Sequence, residues 1–475
     1  MSESYFFYDL ETSGLNPRES RIMQFAGQRT DYDLKLIGQP YNFLVKLAND
    51  SLPSPQAIMV TGITPQMTLS DGISEAEFLK IFNQQISVPG TTFVGYNNVR
   101  FDDEFIRFTN YRNFYDPYEW HYKDGRKRWD ILDVIRMTRS LRPAGINWPT
   151  AEDDTPTNKL TDITGANNIA HQAAHDAMAD VLALIEVAKL IKQQQPKLFN
   201  YLGTNMPNKN DIIKMLHDGE PLVYTFGGYQ AHPQKTTAIV FLADFEDGGI
   251  LVYDLRHDPK FFTDMSVDKL KAVINREDDT ISTPFFVIKP NKCPALAPLS
   301  VLDEASEINI DLDQTTINKH LASFKKYDHQ LSDVALKIFK QLYSDRNFDS
   351  DSVDSELYDN FFDRSDSAKL INIRDADPKL LSSNEHIFND SRLNRLILLY
   401  KARNYPKYLN SEEITEYEGY RQKLLFAGGP NSRLSKFAAE LVMLEKDSSL
   451  SQDQRYLLEE LKLYAESILP SDLEQ

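Results

Sequence analysis

Only one cysteine, Cys293, occurs among 475 residues, so no internal disulfide can form and the chain fits a reducing compartment. Standing alone, Cys293 reads as a small buried hydrophobe. Long apolar runs are missing too, which excludes a membrane-spanning helix. The start, Met1-Ser2-Glu3-Ser4, has no basic stretch, and Asp9 interrupts the apolar run behind it, so neither a signal peptide nor an anchor is expected. Positive charge is scarce: 52 Lys and Arg face 70 Asp and Glu, for a formal net charge of -18. A uniformly acidic surface repels phosphate, which at first argues against nucleic acid. The deficit is uneven, however. Residues 100–142 hold ten Lys or Arg against eight Asp or Glu, which leaves room for a cationic groove in an acidic body.

With 41% hydrophobic and 26% charged residues the chain reads as globular, and its length predicts about three domains. The stretch that orders the rest is Tyr5-Phe6-Phe7-Tyr8-Asp9-Leu10-Glu11-Thr12. Four successive aromatics are apolar on both sides of a period-2 repeat, the pattern of a central strand covered on both faces. Asp9 and Glu11 then share a face, roughly 6–7 Å apart. Two such charges at the end of a buried strand repel and lose hydration unless a cation sits between them; the alternative is a pair solvated in a loop.

The pattern along the chain predicts strands over 21–30 and 41–45, a short helix from Pro55 stopped at Gly62, and a capped helix after Ser74. A strand over 91–95, a helix from about Phe101 and helices over 131–141 and 176–194 follow. Strands first, then strands alternating with helices, predict a mixed α/β sheet. A boundary is placed at 193–196. Short strands follow over 222–226, 237–243, 250–254 and 285–289, then helices from about Thr315. The acidic stretch 345–354 reads as a linker. Helices follow over 392–403, 412–426, 432–444 and 451–468, the last with Leu457, Leu461, Tyr464 and Ile468 on one face, read as the core of a bundle. There is no internal repeat.

Two further segments place acids where a core element ends. Asp102, Asp103 and Glu104 open a helix, where acids commonly do no more than complement the dipole; Asp102, between Phe101 and Phe105, is the functional choice. His175 and Asp180 are five residues apart, about 140° of rotation on a helix, so His175 belongs to the loop before it. Asp176 then stands near the N-cap and Asp180 one turn inside, among Met178, Val181 and Leu182.

Asp9-x-Glu11, Asp102 and His175-x4-Asp180, in this order, resemble the DEDD exonuclease superfamily. The position that carries a tyrosine in its other branch is Asp176 here, which selects the histidine branch. Segments 96–104, 111–118, 141–149 and 174–180 closely resemble bacterial exonuclease I, as do Asn291-Lys292-Cys293-Pro294, 357–362 and 400–406. The resemblance therefore spans essentially the whole chain. It implies a ribonuclease H-like exonuclease domain over 1–195, an SH3-like domain with a helical extension over 196–349 and a C-terminal helical domain over 352–475.

It also implies an activity: 3′–5′ degradation of single-stranded DNA to 5′-mononucleotides, in DNA repair and recombination, in the cytoplasm of a bacterium. Phosphodiester hydrolysis needs an activated water, neutralised phosphorane-like charge and a stabilised leaving oxygen, which two cations about 3.5–4 Å apart supply. Oxygen ligands suit Mg²⁺, with Mn²⁺ as a substitute. Asp9, Glu11 and Asp180 are assigned to direct coordination, Asp102 to the second ion, and His175 to taking the proton of the attacking water. For the DNA, Arg100, Arg112, Lys123, Arg126, Lys127 and Arg128 are expected to meet phosphates and Trp129 to stack on a base, whereas most neighbouring aromatics belong to the core. The resemblance adds a second partner, the acidic tail of the single-stranded DNA-binding protein, with Arg142 and Tyr201 as its contacts. A monomer is expected. Two rival readings remain at this stage, an RNA-trimming or proofreading exonuclease of the same superfamily and a catalytically silent nucleic-acid-binding scaffold.

Overall fold

The computed structural model describes residues 3–171, 176–278, 280–344, 352–382 and 387–469. Strands β1 (Ser4–Thr12), β2 (Ile22–Thr30), β3 (Leu36–Leu44), β4 (Thr91–Gly95) and β5 (Lys127–Asp130) form one sheet in the order β3-β2-β1-β4-β5. β1, β4 and β5 run parallel, while β2 and β3 are antiparallel to their neighbours. β1 lies at the centre because its aromatics fill both sides. Phe7 packs with Trp129, Val181 and Leu184; Phe6 and Tyr8 pack with Phe25, Phe78, Phe82 and Phe93. Gly27, opposite Tyr8, makes room for this: a Cβ there would stand 2.4 Å from the Phe6 ring.

The pairing of β1 with β4 ends at Phe7↔Val94, yet β1 runs on to Thr12. Asp9 and Glu11 therefore lie beyond the carboxyl end of β4, in the crevice where open α/β sheets bind ligands. β3 begins five residues before its predicted start. It is an exposed edge strand containing Pro40, so it has little apolar alternation to betray it.

A second sheet contains β6 (Leu222–Thr225), β7 (Thr236–Phe245), β8 (Gly249–Asp254), β9 (Phe285–Ile288) and β10 (Ala295–Pro298), all antiparallel in the order β10-β6-β7-β8-β9. The sequence pattern misses β10 and the helix Glu304–Ile310, both too short to show a period. Residues past 195 still pack on the first domain. In the helix Pro196–Asn205, Phe199 lies 5.0 Å from Trp129, ring centre to ring centre.

The helices of the last domain close back onto the first. Leu458, Leu461 and Ala465 pack with Met23, Ile58 and Ile63, and Tyr464 and Ile468 with Leu47. The apolar face of the final helix is therefore a docking face rather than the interior of a separate bundle. Of the expected acidic linker, residues 345–351 lie outside the described residues, and its end is buried. Asp354, 2% exposed, bridges Arg21 at 2.7 Å and Arg403 at 2.6 Å, and Arg403 also holds Asp50 at 2.6 Å.

Candidate active site

β1 presents Asp9 opposite Ala26 and Glu11 opposite Gln24, just before an irregularity in register at Thr12. The third acid comes from the helix Ala177–Gln194, which packs on the same face of the sheet through Val181, Leu184 and Ile185. Its N-cap is Asp176, whose side chain accepts from the amides of Met178 and Ala179. Gln24 donates to the same carboxylate at 3.2 Å, tying the helix end to β2. Asp180 follows one turn inside. Carboxylate oxygens of Asp9, Glu11 and Asp180 lie within 4.8 Å of one another.

Asp102 enters at the first turn of the helix Asp102–Arg112, 4% exposed, and stands close enough to raise the charge cost of Asp9 and Glu11. Burial, then the neighbouring Asp102, Glu11 and Asp180, holds the Asp9 carboxyl well above the usual range. Burial and Asp180 push Glu11 up to about 8. Burial and Asp103 raise Asp102 as well. Such carboxylates resist ionising next to one another unless a cation joins them. All donors in the cluster are oxygens, the set that hard divalent ions take, so the residues present fit a divalent metal.

His175 lies outside the described residues. A different histidine, His171, meets the site: its Nε2 is 2.5 Å from Asp180 Oδ1 and its Nδ1 3.1 Å from Thr164 Oγ1. The Thr164 hydroxyl also donates to the carbonyl of Thr161 at 2.9 Å. The sequence pattern passed His171 over because it stands outside the five-residue spacing to Asp180.

Asp103 is a structural acid. It is fully buried and accepts from the Tyr8 hydroxyl and from Arg128 Nη1. That contact removes Arg128 from the expected DNA surface, since its other Nη donates to the carbonyl of Asn291 at 2.5 Å. Arg112 is removed too: it is 1% exposed and paired with Glu75 at 3.1 Å. Trp129 is fully buried between Tyr5 and Phe199, with no face for a base. The basic run 126–128 looks solvated in sequence, but β5, although the edge strand beside β4, buries Arg128 and Trp129 under later parts of the chain, Asn291 and Phe199. Arg126 is held by Ser87 and Asp124. Arg100 and Lys123 keep exposed side chains beside Asp133 and Glu119, and Lys127 is half-buried. Arg142 donates to the carbonyl of Val301 at 2.7 Å and lies 3.3 Å from Asp303. Tyr201, half-buried, reaches Met215. Cys293 is buried, as expected of a small hydrophobe, and burial pushes its thiol up to about 12. Among the described residues no helix is long and apolar enough to cross a membrane.

Three family models match the chain: an exonuclease model over residues 6–188, an exonuclease I SH3-like domain over 207–341 and an exonuclease I C-terminal domain over 351–468. The exodeoxyribonuclease I of Haemophilus influenzae is 38% identical over 98% of this chain and 99% of its own length. A crystal structure of E. coli exonuclease I in complex with a dA16 oligonucleotide superposes with a TM-score of 0.92 at 35% identity, over 98% of this chain and all of the other. A crystal structure of SSB/exonuclease I in complex with the inhibitor CFAM has a TM-score of 0.87 at 34% identity, with the same coverage.

Proposed function

The chain belongs to the exonuclease I family, and we propose that Asp9, Glu11, Asp102 and Asp180 are the residues with which it hydrolyses DNA. It is an exodeoxyribonuclease that degrades single-stranded DNA in the 3′–5′ direction. The observation that carries the site assignment is the convergence of three carboxylates from one strand and one helix within 4.8 Å.

A divalent metal pair bound here supplies charge for the phosphorane-like transition state and a water of lowered pKa. Asp9, Glu11 and Asp180 would hold the first ion and Asp102 the second, and Mg²⁺ is the ion proposed, with Mn²⁺ as a substitute. The protein's own contribution is placement. β1 fixes Asp9 and Glu11 through its two-sided aromatic packing, Asp176 and Gln24 fix the helix that bears Asp180, and burial keeps bulk water from competing for the acids. His175 is proposed to take the proton from the attacking water, on the strength of its spacing from Asp180. Arg100, Lys123 and Lys127 are the cations of the original set left with solvent access, and they are proposed to meet phosphates. Single-stranded DNA-binding protein is the proposed protein partner, at Arg142 and Tyr201, in DNA repair and recombination. All four acids come from one chain, which supports a working monomer.

The deciding experiment follows Mg²⁺-dependent release of mononucleotides from 3′-labelled single-stranded DNA by wild type and by Asp9→Ala. Release by the wild type alone is expected; equal release by both would sink the assignment. An RNA oligomer in the same assay separates the RNA-trimming alternative, which requires degradation of RNA at least as fast as of DNA.

A further inference from the structure

The turn between β9 and β10 in the second domain leaves its own sheet and grips the first. Asn291 accepts from Arg128, and Cys293, in the left-handed conformation at φ 49°, donates its thiol to the carbonyl of Arg128 at 3.2 Å. Between them Lys292 makes two bonds from one ammonium group. Its Nζ donates to the carbonyl of Val99 at 3.1 Å and to Glu104 Oε1 at 2.8 Å. Those two acceptors flank Asp102 in sequence, one on the incoming loop and one in the first helical turn. The other Glu104 oxygen accepts from the hydroxyl of Tyr358 in the last domain, and Arg107 holds Oε1 at 2.6 Å.

The helix needs an outside hold. Its N-cap, Phe101, has φ -125° and ψ -77° and gives no side-chain cap, although a capped start is the usual way to fix a first turn. The first turn is held on its inner side by Asp103, which accepts from Tyr8 and Arg128; on its outer side the hold is Lys292. A solvated ion pair would hold a helix end weakly; Lys292 and Glu104 are partly buried, with side chains 34% and 15% exposed, and the ammonium is bonded on both sides of the turn.

We propose that Lys292 is a positioning residue for Asp102, so that the second domain, with Tyr358 of the third, completes the active site of the first. This rests on the reading of Asp102 as a catalytic carboxylate.

The test compares Lys292→Met, Lys292→Arg and Tyr358→Phe in the full-length protein with Mg²⁺. Three quantities are measured well below the melting temperature: kcat on single-stranded DNA, kcat on the p-nitrophenyl ester of thymidine 5′-phosphate, and oligonucleotide Kd in Ca²⁺. The small ester is too short to reach basic residues beyond the carboxylates. A displacement of about 1 Å costs on the order of 100-fold in rate. Lys292→Met is therefore expected to lower kcat on both substrates by roughly 10- to 100-fold, with oligonucleotide Kd within about twofold of wild type, and Lys292→Arg to recover most of the loss. If Lys292→Met does not fold, Tyr358→Phe carries the test, with a smaller fall in kcat of the same pattern. Unchanged kcat, or a loss confined to oligonucleotide Kd, overturns the proposal and leaves Lys292 as a docking or phosphate contact. Asp102→Asn in the same assays tells the two readings apart. If it is as active as wild type, the site assignment itself fails; if it is inactive while Lys292→Met is normal, only the positioning role fails.

Discussion

Asp9 is held where its own charge is unwelcome, and that fixes what its removal does. Asp9→Asn relieves repulsion with Asp102, Glu11 and Asp180, so the metal-free variant is expected to melt a few degrees above wild type while releasing no mononucleotide. Thermal melts in EDTA check the first half and the labelled-DNA assay the second. Glu11 gives the pH dependence. Its pKa is raised from 4.5 to about 8, so between those values the folded, metal-free protein binds more protons than the unfolded chain and its stability falls as pH rises. A divalent ion replaces those protons. The rise in melting temperature on adding Mn²⁺ is therefore expected to be larger at pH 8 than at pH 6; the reverse order in melts at the two pH values would refute this. His171 adds a third expectation. With Asp180 in its grasp, His171→Ala is expected to weaken Mn²⁺ binding by roughly 10- to 100-fold, read by titration calorimetry.

At the scale of elements, the strands and helices that carry the acids were legible and their surroundings were not. The sequence places β4 at its observed bounds because Thr91–Gly95 is a short apolar run ended by a glycine turn, and the helix Ile131–Leu141 because Leu141-Arg142-Pro143 stops it. Asp9, Glu11, Asp102 and Asp180 stand out through spacing that bridges about 170 residues. Arg112, Arg128 and Trp129 were misread for one reason: charge or an aromatic ring announces chemistry, whereas burial depends on partners such as Glu75, Asp103 and Phe199 that are distant in sequence or unremarkable in it. The same holds for Asp354, composed like a linker and buried by Arg21 and Arg403. Asp176 gives the element its prediction. Asp176→Ala removes the cap of the Asp180 helix and the bond from Gln24, and is expected to cost about 1 kcal/mol in urea unfolding and to lower kcat, because Asp180 sits on the loosened turn.

Across the whole molecule, Asp354 is the counterpart of the metal site: a buried acid amid cations, where the other acids lie among their own kind. Arg403 and Arg21 outweigh its burial and hold its carboxyl below the usual range. Its contribution to stability is therefore full above the unfolded value of 3.8 and is lost as pH falls through the lowered one. Asp354→Ala leaves Arg21 without its carboxylate, beside an Arg403 that keeps only Asp50, and is expected to cost about 3–5 kcal/mol, seen as a lower urea midpoint.

That cluster bears on heredity as well as on stability. Arg21 immediately precedes the strand that pairs with Glu11, and its partner lies 333 residues downstream. A gene that borrowed only the nuclease segment would inherit Arg21 and Asp50 shaped for a neighbour it no longer encodes, so successful transfer to a new architecture would have to rewrite those positions at the same time.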